Sequence, residues 1–178
     1  ILELIKMDFS LQWLQQDLFK IDLNDPEFMK EVEQTDWKNK KEVLKAVKSD
    51  AYALQYTSKK LQDDKEVVLA AVNQIGNVFQ YASYKLRGDK DVVLTAIKNA
   101  VRDFSVINHA SERIKKNKDI VMAAVKKSGY EIQYASEKLK GDKEVMLAAV
   151  KSNRYVFKYA SEQLKNDPEF MKEVEQYL

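Results

Sequence analysis

The sequence predicts an all-α protein made of tandem helix hairpins stacked into an elongated, α-solenoid-like domain. Three observations predict it. Residues 64–88 recur along the chain, with copies opening at Asn39, Asp64, Asp89, Asn117, Asp142 and Asp167, at intervals of 25, 25, 28, 25 and 25 residues. A fixed period of that length marks a stacked repeat architecture. Each copy opens on an Asp or Asn able to cap a helix, and apolar residues then recur with helical spacing in both halves of the unit.

The first half of the unit reads as a helix that begins at the capping residue. Glu66, Asp91, Asp119 and Glu144 place negative charge in its positive first turn. Val67, Val68, Ala71 and Val72 share one face, and Leu69 widens the arc past half the circumference, so this helix is expected to lie between neighbours. By the same register Val72, Val125 and Val150 should be buried. Gly76 and Gly129 are expected to end the helix as left-handed caps, with Ala51 and Arg154 at that place in other copies.

The second half carries Val78, Phe79, Ala82 and Leu86 on one face of a second helix. Ala82-Ser83 recurs as Ala110-Ser111, Ala135-Ser136 and Ala160-Ser161, with Thr57-Ser58 in the first full copy, and small side chains there are expected to let helices approach closely. Arg87-Gly88 and Lys140-Gly141 then form short turns, each followed by a capping Asp, so that successive helices run antiparallel.

Domain organisation follows from the copies. One domain is expected over 1–178, with divergent copies in 1–38, regular copies in 39–166 and a partial copy in 167–178. The chain opens at Ile1 inside a copy, since Phe9-Ser-Leu-Gln-Trp-Leu matches Tyr52-Ala-Leu-Gln-Tyr-Thr, and this reads as a piece of a longer chain. Residues 24–34 are identical to residues 166–176. Too few residues separate Gln34 from Asn39 for a second helix, so Trp37 should anchor a short connection. The copy from Asp89 is longer, and residues 99–103 should absorb the excess as a longer helix or a looser loop that bends the stack. His109 fills the place of Tyr56, Tyr81, Tyr134 and Tyr159.

Composition narrows the function classes. Thirty basic against twenty-eight acidic residues leave a net charge of +2, too little to argue for nucleic acid by charge alone. There is no cysteine, hence no disulfide framework and no thiolate metal site. No apolar run reaches the roughly 18 residues that span a bilayer, no signal peptide is visible, and the default expectation is the cytoplasm.

The pattern Asp-Lys-Glu-Val-(Val/Met)-Leu-Ala-Ala-Val, a gap, then Tyr-Ala-Ser-x-x-Leu, in residues 64–86 and 142–164, resembles a widespread tandem-repeat family catalogued only as a domain of unknown function. The resemblance covers roughly residues 39–167. It implies a helical repeat and carries over no activity, catalytic residue or ligand.

The residues point away from chemistry. His109 is the sole histidine and lacks partners at metal-ligand or triad spacing. The carboxylates recur as caps, and the glycines are too isolated for a phosphate loop. Arg87-Gly88-Asp89 spells a cell-adhesion tripeptide, but Lys140-Gly141-Asp142 does the same turn-forming work elsewhere. No catalytic residue, cofactor or metal is expected.

Two columns remain. Tyr56, Tyr81, Tyr134 and Tyr159 suit packing between copies with wet hydroxyls, better than a base-stacking platform. Gln55, Gln80, Asn108, Gln133 and Lys158, with Gln12 upstream, lie opposite the buried Leu86 position. These are the candidate partner-binding residues, unless the amides bond to a neighbouring helix. The expected function is a non-enzymatic scaffold that binds protein or peptide, with self-association through uncapped ends. The alternative is a nucleic-acid-binding repeat that combines the amide column with Lys48, Lys98, Lys126 and Lys151.

Overall fold

The computed structural model of the chain describes residues 36–101 and 104–178. The expectations for residues 1–35, including Gln12, the divergent copies and the 24–34 identity, lie outside the described residues. Within them the secondary structure is helical, with no strand.

Each repeat opens with the longer helix that its sequence announces: Lys40–Ser49, Lys65–Val72, Lys90–Asn99, Lys118–Lys127, Lys143–Ser152 and Pro168–Val174. Asn39, Asp64, Asp89, Asn117, Asp142 and Asp167 each accept a first-turn N–H, as N-caps must. In the second to fifth repeats, two apolar pairs one turn apart fill the core: Val67-Val68 with Ala71-Val72, Val92-Val93 with Ala96-Ile97, and the same places in the next two repeats. Val72, Val125 and Val150 are buried, as the register requires. Successive long helices pack on one another and form the first layer of the stack.

The second layer differs from the uniform helix read from the sequence. It consists of short pieces of one or two turns, Ala51–Tyr56, Gly76–Tyr81, Val106–His109, Gly129–Tyr134 and Arg154–Tyr159, which are 3₁₀ except for Val106–His109. A second short helix follows each of them after a break at the Ala-Ser pair. The expected burial survives, since Val78, Phe79, Ala82 and Leu86 are all in the core. The break explains the serine: Ser58, Ser83 and Ser161 accept the N–H of Leu61, Leu86 and Leu164 with their hydroxyls. The preceding Thr57, Ala82, Ala110, Ala135 and Ala160 are buried, where a larger side chain would not fit.

Neighbouring repeats are laced together at three levels. In the second layer the serine N–H reaches back to the previous repeat, Ser58 to the Trp37 carbonyl, Ser83 to Gln62, Ser111 to Arg87, Ser136 to Lys115 and Ser161 to Lys140. At the start of the long helices, Lys40 pairs with Asp64 and Glu66 at 2.8 Å each, and Lys65, Lys118 and Lys143 repeat the arrangement. At their ends, Gln74 donates to the Val47 carbonyl, Asn99 to Val72 at 3.3 Å and Lys127 to Ile97 at 2.6 Å. A helix end leaves carbonyls without intrahelical partners, and here the next repeat supplies their donors.

Two expectations need correction. Gly76 and Gly129 do not end the helix as left-handed caps, because that place belongs to Asn73 and Ser128, the latter extended. Each glycine instead starts a 3₁₀ turn, where the next repeat presses on it: a Cβ at Gly129 would stand 2.5 Å from the Ala149 carbonyl oxygen, and one at Gly76 would run into that of Ala96. Ala51 takes this place in the first repeat and is buried. Leu69 is not sandwiched; it is half-buried, and its counterpart Leu94 is exposed.

The Trp37 anchor and the looser connection in the third repeat agree with the structure. Trp37 is buried and tilts against Tyr56 with ring centroids 5.8 Å apart. The long helix of the third repeat ends at Asn99, so the extra residues fall in the connection to Val106.

Two outcomes follow for stability. Gly129→Ala should lower stability by at least about 1–3 kcal/mol, the range for overpacked sites, read by chemical denaturation; an unchanged midpoint would mean that the repeats are not pressed together there. Acid should also loosen the stack. Burial alone would raise Asp89, but Lys65 and the N–H groups of Val92 and Asp91 outweigh it and hold the carboxyl below its ordinary 3.8. A carboxyl depressed by folding stabilises above that value and loses its contribution as pH falls through the folded one. Asp89→Asn should therefore shrink the loss of melting temperature below about pH 4, and an acid limb identical to the parent would refute this.

Candidate functional site

The columns singled out in the sequence form one row in the second layer, whose successive segments pack side by side. Gln55, Gln80 and Gln133 are half-buried, while Asn108 and Lys158 are exposed. Gln133 accepts a hydrogen bond from the Tyr159 hydroxyl at 3.2 Å, so the last amide ties one repeat to the next. The tyrosine column is half-buried and packs on the core. Burial, and then the Asp50 carboxylate, push the Tyr56 hydroxyl up from its ordinary value.

A 3₁₀ segment brings residues three apart onto one edge. In the fourth and fifth repeats that edge holds Tyr130 with Gln133 and Tyr155 with Lys158. Tyr130 is 43% and Tyr155 66% exposed, whereas the matching Tyr52 and Asn77 are 6% and 8% exposed. Arg154 stacks over the Tyr155 ring at 5.2 Å and Lys158 over Tyr159 at 5.0 Å. The same face is thus closed in the first repeats and aromatic and open in the last two. Nothing in the periodic pattern singled out Tyr130 and Tyr155, because their column reads Tyr, Asn, Ser, Tyr, Tyr and looks unconstrained.

The lysines proposed to flank the amides do not. Lys48, Lys98, Lys126 and Lys151 are exposed on the long helices, on the side turned away from the buried pairs, while the amides belong to the other layer. Helical phase, invisible when the columns are read separately, keeps the two sets apart.

A second site, missed in the sequence, lies where the third repeat carries its extra residues. A cavity of about 140 Å³ is lined by Ile97, Phe104, Val106, Ala124, Lys127 and Glu131 among others. Glu131 is 5% exposed and occupies a column otherwise filled by Ala53, Val78, Val106 and Val156, which is the signal that could have found it. Its carboxylate accepts from the Ser105 hydroxyl at 2.5 Å and from the N–H groups of Val106 and Ile107 at 2.8 and 3.1 Å. Lys127 donates to the carbonyls of Ile97, Lys98 and Ala100. From the other side Asn77 holds Val101 by both backbone groups. Lys127 is committed to the carbonyls that end the helix before the inserted connection and Glu131 to the N–H groups and capping hydroxyl that open the helix after it, so the pair clamps the loop at both ends.

His109 lies beside this loop, stacked on Phe104 with centroids 5.1 Å apart and planes 4° from parallel. Burial, then the charges of Arg87 and Lys115, hold its pKa below the ordinary value, so the ring is neutral at pH 7. The adhesion-like tripeptide is consumed by structure: Arg87 donates to the His109 carbonyl, Gly88 is buried, and Asp89 caps a helix. Among the described residues there is no cluster of three or more His, Cys, Asp or Glu placed to hold a metal, and no helix long and apolar enough to cross a membrane.

A family described as a domain of unknown function (DUF4116) matches the chain four times, over residues 39–87, 64–104, 89–140 and 142–174. No curated protein and no solved structure matches it.

The clamp has a pH signature opposite to that of the helix caps. Burial raises the Glu131 carboxyl above its ordinary 4.5, against the lowering by Ser105, Val106, Ile107 and Lys127. A raised carboxyl contributes most below the ordinary value, and the contribution is lost as pH rises through the folded one. Relative to Glu131→Gln, the parent protein should lose melting temperature as pH climbs from 4.5 towards neutrality; a constant difference across that range would show that Glu131 titrates normally.

Proposed function

The chain belongs to the DUF4116 family of tandem repeats, and from that premise we propose that it is a non-enzymatic scaffold that binds a partner protein along its second layer. One observation carries this reading: Tyr130 and Tyr155 are exposed at matching places in adjacent repeats, on the edge that also presents Gln133 and Lys158. Tyrosine offers a large contact area with little entropy to lose, and with arginine it is enriched where protein interfaces concentrate their energy. Arg154 already lies over one ring. The commitment of Glu131, Lys127 and His109 to packing and capping supports a binding role over a catalytic one.

Nucleic acid is the competing partner, favoured by the exposed Lys158 and the stacking capacity of the same rings. Its weakness is charge, because the lysines that would strengthen it sit on the other layer.

Affinity capture on the immobilised chain, read for both protein and nucleic acid, tests the choice. The expected result is a protein partner retained at high salt and after nuclease treatment, and weakened about tenfold by Tyr130→Ala with Tyr155→Ala. Both positions are on the surface, so the melting temperature should barely change. Recovery of nucleic acid alone, with binding that falls steeply as salt rises, would overturn the proposal.

A further inference from the structure

The outer face of the long-helix layer carries three parallel bands. Residues spaced three and four apart share a helix face. On the face turned away from the buried pairs, the long helices of the third to fifth repeats each present an acid in the first turn, then a large apolar residue, then near the end a lysine. The first has Lys41 in place of the acid, the second Asn73 in place of the lysine and the sixth Lys172 in place of the apolar residue. The apolar band is Leu44, Leu69, Leu94, Met122 and Leu147, and the lysine band, four residues further on, is Lys48, Lys98, Lys126 and Lys151, with Asn73 in the second repeat. Small residues, Ala70, Thr95, Ala123 and Ala148, follow the band in the second to fifth repeats, and the exposed Lys45 in the first. Leu94 is 43% exposed and the other members of its band are half-buried, on the side of the helix where a polar residue would be expected.

The flanks of the apolar band are electrically unequal. The acidic band is largely neutralised: Glu66 pairs with Lys40, Asp91 with Lys65, Glu144 with Lys118 and Glu169 with Lys143. The lysine band has no such partners. No ion pair engages Lys48, Lys98, Lys126 or Lys151 among the described residues, and only Lys151 has a specific contact, over the Tyr177 ring at 5.1 Å. The face therefore offers a row of apolar side chains bordered by uncompensated positive charge on one side only.

We infer that this face docks an acidic amphipathic helix of a partner protein, laid across the long helices with its apolar stripe on the leucine band and its carboxylates towards the lysine band. The spacing fits that occupant. Packed helices stand about 8–10 Å apart, and seven residues of a crossing helix advance about 10.5 Å, so one apolar residue per heptad meets each leucine. The positive border selects carboxylates, placed on one flank of the stripe. This inference rests on the reading of the chain as a protein-binding scaffold, but it uses the layer opposite Tyr130 and Tyr155 and stands or falls separately.

The test is selection from a display library of peptides of roughly three heptads on the immobilised chain. It is scored against a variant with Lys48, Lys98, Lys126 and Lys151 all changed to Glu, and against the Tyr130→Ala, Tyr155→Ala variant. Expected are acidic sequences with apolar residues at heptad spacing, bound about tenfold more weakly by the lysine variant and undiminished on the tyrosine variant. Should the lysine variant lose its helical circular dichroism, Leu94→Lys alone replaces it, with the same loss expected. No enrichment, enrichment of basic peptides, or equal binding to the lysine variant overturns the inference. So does preferential, lysine-dependent binding of phosphatidylserine vesicles or of single-stranded nucleic acid. Peptides that depend on the tyrosines alone would sink this inference and leave the scaffold reading in place.

Discussion

The structure depends on how its helix ends are satisfied. Long helices of seven to ten residues fall below the length at which isolated helices are stable in water, and each leaves unpaired N–H groups at one end and unpaired carbonyls at the other. The chain meets the first need locally, with an Asp or Asn cap in every copy, and the second from the next repeat, with Gln74, Asn99 and Lys127 reaching back to the preceding helix. No unit is complete alone. Together with the buried pairs shared between neighbours, this makes the repeat-to-repeat interface the unit of stability, as expected of a one-dimensional stack.

The same constraint shapes the irregular parts. The second layer cannot be one continuous helix, because the serine N–H at its midpoint is drawn to a carbonyl of the previous repeat. Breaking the helix there releases an N–H that joins neighbouring repeats within the layer, and gives the hydroxyls of Ser58, Ser83 and Ser161 a new helix to cap. The glycines before this layer answer the same closeness, since the next repeat's backbone occupies the space of a Cβ. Where the third repeat is longer, its extra residues cannot follow the pattern, and Asn77, Lys127 and Glu131 hold them from both sides. Burying one carboxylate is the cost of that insertion, offset by two N–H groups and a hydroxyl aimed at it.

The proposed binding uses the outer surfaces, while the described interior is given to packing and lacing. The two layers present different chemistry, exposed tyrosines with an amide and a lysine on one, leucines beside free lysines on the other. Helical phase keeps the two faces from merging.

Much of this was legible in the sequence. The period, the caps, the buried valines and the anchoring Trp37 follow from local rules, since capping and amphipathic spacing act within one helix and need no knowledge of neighbours. Membership of the repeat family follows from the same local signals. What only the tertiary structure decided concerns contacts between copies. Gly76 and Gly129 serve close approach instead of a left-handed turn, a distinction set by Ala96 and Ala149, some twenty residues away. Leu69 and its counterparts are half-buried, and Leu94 is exposed, because among the described residues the long helices form the outer layer on that side, and no count of apolar residues on a wheel reveals whether a neighbour exists. The amide column and the lysines could be named from the sequence, whereas Tyr130 and Tyr155 stand out only by their exposure. Which of them share a surface depends on how two layers are rotated against each other, and that rotation is fixed by long-range packing.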